Sequence, residues 1–230
     1  ETCCTIMSST IPTAKRCEIK FVSPEVEYNK LMQWVRDNQA CFIREFPSRQ
    51  VNNVYFDSFN FHSYCENISG SSSRVKVRYR WYGESPHPVN GALEVKWKRN
   101  HFSGKTIYGV SESLEEIGND WGRLQKEITS QLPESGKIWM RLNPIAILIN
   151  RYKRDYFRSR DGKIRVTLDT CLRVYDQMRK PTPNYIVKSN FPSIVVLEVK
   201  FPRDFKTLAS QTLKDIPVRV SRNSKYVSGL

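Results

Sequence analysis

One short stretch constrains this chain more than any other. In Arg74-Val-Lys-Val-Arg-Tyr-Arg-Trp-Tyr82, residues two apart share a strand face, so Val75, Val77, Tyr79 and Trp81 form an apolar side. The opposite side is Arg74, Lys76, Arg78 and Arg80. Cations on alternate residues stand about 6.6 Å apart at two strand rises. At an effective dielectric near 20, each neighbouring pair then repels by roughly 2 kcal/mol. Water and salt remove most of that cost on an open surface. In a semi-enclosed space it persists until an anion arrives.

The same alternation recurs. Glu18-Ile-Lys20, Glu94-Val-Lys96 and Glu198-Val-Lys200 are three copies of Glu-x-Lys, and Lys98 extends the second along the same face. From Ile194 to Phe201 the core face is Val195, Leu197, Val199 and Phe201, which leaves Glu198 and Lys200 opposite. From Lys163 to Asp169, Ile164, Val166 and Leu168 oppose Arg165, and Tyr152 and Arg154 share a face on the preceding strand. One such strand reads as the solvated side of an antiparallel sheet with cross-strand ion pairs. Five or six that share a cation-rich face point to an open basic saddle, or to a barrel whose lumen is the basic face. Carboxylates beside phosphate-binding lysines are unfavourable for a plain polyanion binder. They make sense where a hard cation such as Mg²⁺ or Mn²⁺ bridges them to phosphate oxygens.

Charge agrees with an anionic partner. The 230 residues carry 37 Lys+Arg against 23 Asp+Glu, a net charge of +14. With 39% hydrophobic residues the chain is long enough to bury a sizeable core. No apolar stretch reaches the roughly 18 residues of a membrane span. The six cysteines (3, 4, 17, 41, 65 and 171) show no C-x-x-C spacing and read as reduced thiols of a cytosolic protein. His62, His87 and His101 have no ligand spacing. The chain begins at Glu1 rather than Met, so a signal or partner domain outside it would be invisible.

The pattern predicts a tail over 1–15 and one domain over 16–230. Strands are expected over Arg16–Val22, Gln50–Asp57, Arg74–Tyr82, Ala92–Arg99, Phe102–Val110, Ala146–Phe157, Lys163–Asp169, Leu172–Asp176 and Ser193–Phe201. Asp161-Gly162 is a hairpin turn. Helices are expected after Ser23-Pro24-Glu25, with Tyr28, Leu31, Met32 and Val35 as the buried stripe, and from Ser111 to Leu132 with a break near Gly118 and Gly122. A short helix from about Lys206 and a last helical turn within Ser221–Leu230 complete the reading. Many strands with few, segregated helices argue for α+β with an antiparallel sheet.

At these residues the sequence resembles the triphosphate tunnel metalloenzyme superfamily. It is most similar to the polyphosphate-polymerase domain of the vacuolar transporter chaperone complex and its single-domain bacterial relatives. The blocks are Glu18-Ile-Lys-Phe-Val22, Val54-Tyr-Phe-Asp57, Val77-Arg-Tyr-Arg-Trp-Tyr-Gly83, Glu94-Val-Lys96, Arg165-Val-Thr-Leu-Asp169, Leu197-Glu-Val-Lys200 and Ser224-Lys-Tyr-Val-Ser-Gly229, in the family's order. A lone Glu-x-Lys carries no weight; seven ordered blocks do.

The resemblance implies an eight-stranded antiparallel β-barrel tunnel with a basic lumen and helices packed outside. It implies transfer of the γ-phosphoryl group of ATP onto a growing polyphosphate chain, with Mn²⁺ or Mg²⁺. ATP and inorganic polyphosphate are the implied partners, rather than nucleic acid. Arg78, Arg80, Lys96, Arg154 and Arg165 would grip phosphates. Lys20, Lys76, Lys105 and Lys200 would join them, and Tyr152, Ser224, Lys225 and Arg222 would contact phosphate near the tunnel's end. Glu198 would be the main metal ligand. Phosphoryl transfer needs mainly positioning and charge stabilisation, so the lack of a catalytic histidine is no objection. One departure matters: tunnel triphosphatases begin with Glu-x-Glu-x-Lys, whereas the matching positions here are Arg16, Glu18 and Lys20. That favours the polymerase branch. A tunnel hydrolase of triphosphates and a non-catalytic polyanion or RNA binder stay open as alternatives.

Overall fold

The computed structural model describes residues 16–88, 90–100, 102–110, 120–178, 180–221, 224–226 and 228–229. The expected tail lies outside them. Eight strands make one sheet: β1 (Arg16–Pro24), β2 (Ile43–Asp57), β3 (Ser73–Tyr82), β4 (Gly91–Arg99), β5 (Phe102–Val110), β6 (Ile145–Arg158), β7 (Arg165–Asp176) and β8 (Ile194–Pro202). Their order in space is β1-β8-β7-β6-β2-β3-β4-β5, with every neighbouring pair antiparallel. Five α-helices lie among the described residues: α1 (Tyr28–Asp37), α2 (His62–Ile68), α3 (Trp121–Ser130), α4 (Glu134–Leu142) and α5 (Lys206–Thr212).

The alternation seen in the sequence sorts the two faces. On one side, Val77, Tyr79 and Trp81 of β3 and Leu93 and Val95 of β4 pack with Trp121, Leu124 and Ile128 of α3 and Met140 of α4. On the same side but across the sheet, Val166 and Leu168 of β7 and Val195, Leu197 and Val199 of β8 pack with Leu31, Met32, Trp34 and Val35 of α1 and Ala209 of α5. The helices therefore cover the convex face in two groups, and burial of these side chains drives their docking. Asp120 starts α3 by accepting the backbone N–H of Arg123 at 2.8 Å. Gly104 of β5 is required where it passes β4, because a Cβ there would lie 2.4 Å from the Trp97 ring.

The other face is concave and polar. In a flat sheet, β1 and β2 would stand four spacings of about 4.8 Å apart. Yet the Lys20 ammonium of β1 feels the Tyr55 phenol of β2 and bears on Lys76 of β3. The sheet is therefore strongly curled. The closed barrel expected from the family resemblance is corrected to an open, curled sheet, with β1 and β5 as its edges. The reason lies at the free edge of β1. Val220 forms a β-bridge to Phe21, and Ser221 donates its N–H to the Lys20 carbonyl at 2.9 Å, so the C-terminal segment takes the place a pairing β5 would need.

Other expectations shift. The strands expected over 163–169 and 172–176 are one strand, β7, bent at Cys171, whose φ is +52°, where the register to β6 also slips. β2 starts at Ile43, seven residues before the expected strand, through a series of register shifts against β6. Helices α2 and α4 are not foreseen. The first part of the helix expected from Ser111 lies outside the described residues; the rest is α3. The turn at Asp161-Gly162 is present, with Gly162 at φ +75°.

Candidate functional site

The concave trough gathers its cations around three buried carboxylates. On the β3–β5 wall, Arg78 donates to Glu94 from Nε at 2.8 Å and from Nη2 at 2.5 Å, and Lys105 Nζ reaches the other carboxylate oxygen at 2.6 Å. Arg80 Nη1 lies 3.9 Å from Glu94. Burial alone would raise the pKa of Glu94, but Arg78, Arg80 and Lys105 outweigh it and hold the carboxyl well below the usual range. Arg78 also donates to the Tyr55 hydroxyl at 3.2 Å. Arg80 is fixed by Asn53 Oδ1 at 2.8 Å and by the Tyr152 hydroxyl at 3.1 Å. Asn53 is itself tied to Asn150 at 2.8 Å.

On the β6–β7 wall, Arg154 grips Asp169 in a two-pronged contact at 2.5 and 2.7 Å, and Lys225 of the C-terminal segment reaches the same carboxylate at 2.6 Å. The Arg154 guanidinium lies 5.2 Å from the centre of the Tyr152 ring. Asp169 is 1% exposed. Burial opposes its charge, yet Arg154 and Lys225 lower its pKa.

The third carboxylate, Glu198 of β8, touches Lys200 and lies 4.0 Å from Lys20, while Glu18 of β1 meets Lys20 at 2.9 Å and Lys200 at 3.8 Å. Burial again opposes the charge on Glu198, and the two lysines and Arg154 overcome it. Lys96 faces these groups from β4. Arg78 beside it, then burial, then Lys200 from across the trough push the pKa of its ammonium well down. An ammonium crowded by charge from two walls is what a narrow basic channel produces.

One end of the trough is closed by the C-terminal segment. Lys76 donates to Ser224 Oγ at 2.8 Å, and Tyr226 stacks on Tyr55 at 5.1 Å while donating its hydroxyl to Asp57 at 2.5 Å. Burial, with Lys20, Arg74 and Arg78 nearby, pushes the Lys76 ammonium down to about 8. Asp57 also accepts the backbone N–H groups of Ser63 and Tyr64 at the start of α2, so that short helix is pinned to the end of β2.

Of the residues singled out from sequence, Arg78, Arg80, Lys96, Arg154, Lys20, Lys76, Lys105, Tyr152, Lys200, Ser224, Lys225 and Glu198 are brought together along this face. Arg165 is placed differently. It shares the face but sits exposed at the rim, paired with Glu45 at 3.1 Å. Arg222 lies outside the described residues. Sequence reasoning gave no role to Asp169, Asn53, Tyr55, Asp57 or Tyr226. The signal was present for three of them: Asp169 is in phase with Arg165, and Asn53 and Tyr55 alternate along β2.

Among the described residues, no three acidic, His or Cys side chains converge on one metal-sized point. Glu198, with Glu18 beside it, supplies hard carboxylate oxygens. That set fits Mg²⁺ or Mn²⁺ held jointly with substrate phosphates and water, which is how one or two carboxylates ordinarily hold such an ion. It does not fit zinc. No helix among the described residues is long and apolar enough to cross a membrane.

The family model of the VTC domain matches residues 15–230. Among solved structures, a candidate adenylate cyclase from Vibrio parahaemolyticus is similar at 12% identity and a TM-score of 0.51, covering 92% of this chain and 96% of its own. The PH1819 protein from Pyrococcus horikoshii is similar at 12% identity and a TM-score of 0.45, covering 93% of this chain and 96% of its own. No curated protein matches the chain.

Proposed function

The chain belongs to the VTC-domain family, and from that premise we propose that it is an ATP-dependent polyphosphate polymerase. The observation that carries the reading is the trough itself: cations from β1, β3, β5, β6 and β8 face one another and are held in place by buried carboxylates. Phosphate oxygens are the ligand chemistry such a surface suits, because guanidinium forks match them two at a time.

In this reading a terminal oxygen of the polyphosphate chain attacks the γ-phosphorus of ATP. The new P–O bond forms as the bond from the γ-phosphorus to the β,γ-bridging oxygen breaks, and ADP leaves with that electron pair. The acceptor oxygen is already anionic and needs no general base. Arg78 and Arg80, with guanidiniums fixed by Glu94, Asn53 and Tyr152, hold charge at defined points, which is the contribution phosphoryl transfer asks of a protein. Arg154 and Lys225 serve the opposite wall. Glu198 would hold Mg²⁺ or Mn²⁺, which would offset charge on the transferring phosphate.

The test is one incubation with ATP and Mn²⁺, with and without a short polyphosphate primer, read by gel and by free-phosphate assay. A ladder of growing chains is expected. Free phosphate without chain growth would move the assignment to a tunnel triphosphatase. Tight polyphosphate binding with neither product would leave a binding protein.

A further inference from the structure

Beyond the phosphate-gripping residues, the β2–β6 side of the trough carries an aromatic patch that the reaction as written does not use. Arg49 pairs in register with Arg154 and Phe46 with Tyr156, so both stand on the trough face. The Arg49 guanidinium lies 4.8 Å from the Phe46 ring centre, 5.8 Å from that of Tyr156 and 6.0 Å from that of Tyr82. Phe46 meets Tyr156 edge-on at 5.7 Å. Phe46 is 40% and Tyr82 46% exposed. Among the described residues no carboxylate pairs with Arg49, in contrast to Arg78 and Arg154. The patch is continuous with the phosphate grip, since the Arg154 guanidinium also lies 6.0 Å from the Tyr156 ring centre.

Phe46 and Tyr82 stay partly exposed beside a guanidinium plane that a flat, polarisable group can cover. Phosphate cannot use an aromatic face, whereas a purine or pyrimidine stacks on rings and guanidinium planes alike. We propose that Phe46, Arg49, Tyr82 and Tyr156 form a nucleobase platform at the mouth of the trough, on which the base of a nucleoside triphosphate rests while its phosphates reach Arg80 and Arg154. The inference rests on the trough's being a triphosphate site. Stacking reads a π-face and not a hydrogen-bonding edge, so the platform accepts purines of either kind.

Titration calorimetry with ATP, GTP and inorganic tripolyphosphate separates the platform from the grip. Tyr82→Ala and Phe46→Ala should each weaken ATP and GTP by about tenfold, a typical loss for one stacked base, and leave tripolyphosphate unchanged. Tyr82→Phe should keep nucleotide binding, because stacking needs the ring and not the hydroxyl, and unchanged tripolyphosphate binding by the alanine variants reports an intact fold. Arg80→Ala should weaken all three ligands. If the alanine variants bind ATP as the wild type does, or lose ATP and tripolyphosphate equally, the platform is overturned and the grip stands. If wild-type protein binds none of the three, the triphosphate reading falls and the platform falls with it.

Discussion

Two carboxylate hubs hold the trough's arginines, and they are built differently. Glu94 draws its partners, Arg78, Arg80 and Lys105, from β3 and β5, the two strands that flank its own. Once the meander from β3 to β5 forms, that hub is complete. Asp169 takes Arg154 from the neighbouring strand but Lys225 from the C-terminal segment. It is complete only when the chain's last residues have folded back over the trough. The first hub is thus a local product of strand pairing, and the second couples the site to the closing of the molecule. Disturbing the first should damage chemistry with little effect on architecture, and disturbing the second should damage both.

The largest effect is expected at the Glu94 hub. Arg78→Ala or Arg80→Ala should lower chain synthesis by about 100-fold or more, the scale of losing one preorganised charge-stabilising donor, with the circular dichroism spectrum unchanged. Full activity in the double variant would dissolve the proposed function. Next, Asp169→Asn should destabilise by about 3–5 kcal/mol, because it removes the buried carboxylate and leaves the mostly covered Arg154 without its counter-charge. At roughly 2–4 °C per kcal/mol for a chain of this size, the melting temperature should fall by about 6–20 °C. The C-terminal residues should also become open to limited proteolysis. A melting temperature equal to wild type would mean that the two hubs are not different in kind.

Glu198→Gln probes the third carboxylate. Activity should fall and its dependence on added Mn²⁺ should flatten, while tripolyphosphate affinity changes by less than about threefold. A metal titration that superimposes on wild type would remove Glu198 from the proposed ion site. The smallest effect concerns Lys76, whose ammonium loses its proton near pH 8 in the empty trough. Bound phosphate favours the charged form, so binding above pH 8 must take up a proton and should weaken as pH rises from 7 to 9. Lys76→Met should flatten this slope by a few-fold, the scale of a single partly exposed charge contact. For stability the sign is opposite. The unfolded chain holds the Lys76 proton up to its ordinary pKa and the folded chain gives it up sooner, so this residue's cost is full below about 8 and eases as pH climbs above it.

Much of this was legible in strand periodicity. The cation row on β3 and the apolar row behind it fell where alternation put them, and β5 has the bounds expected from sequence. Tyr152 and Arg154 do share a face, with the guanidinium over the ring. Elements whose reasons are tertiary were missed. Helix α2 has seven residues and begins after Phe61, whose φ is +53°; it is held by Asp57, and no local cap announces it. The early start of β2 depends on shifts against β6, which no short window displays. The role of Asp169 was hidden because half of its partnership arrives from the other end of the chain. Closure of the barrel was inferred from kinship, and the docking of Val220 and Ser221 on β1 is what overrides it.

That open seam between β1 and β5 has a mechanical meaning. In a closed barrel, strand number and shear fix the radius, and width cannot change without breaking hydrogen bonds. A curled sheet whose edge strands β1 and β5 are not paired to each other has no such quantum. Its bore can answer to the balance between repulsion among Arg78, Lys96 and Lys200 and the attraction of Glu198 and Glu18 for Lys96. A polyanion threaded among those charges turns that repulsion into attraction. The trough is therefore expected to draw in around an anionic cargo and to widen when the cargo leaves.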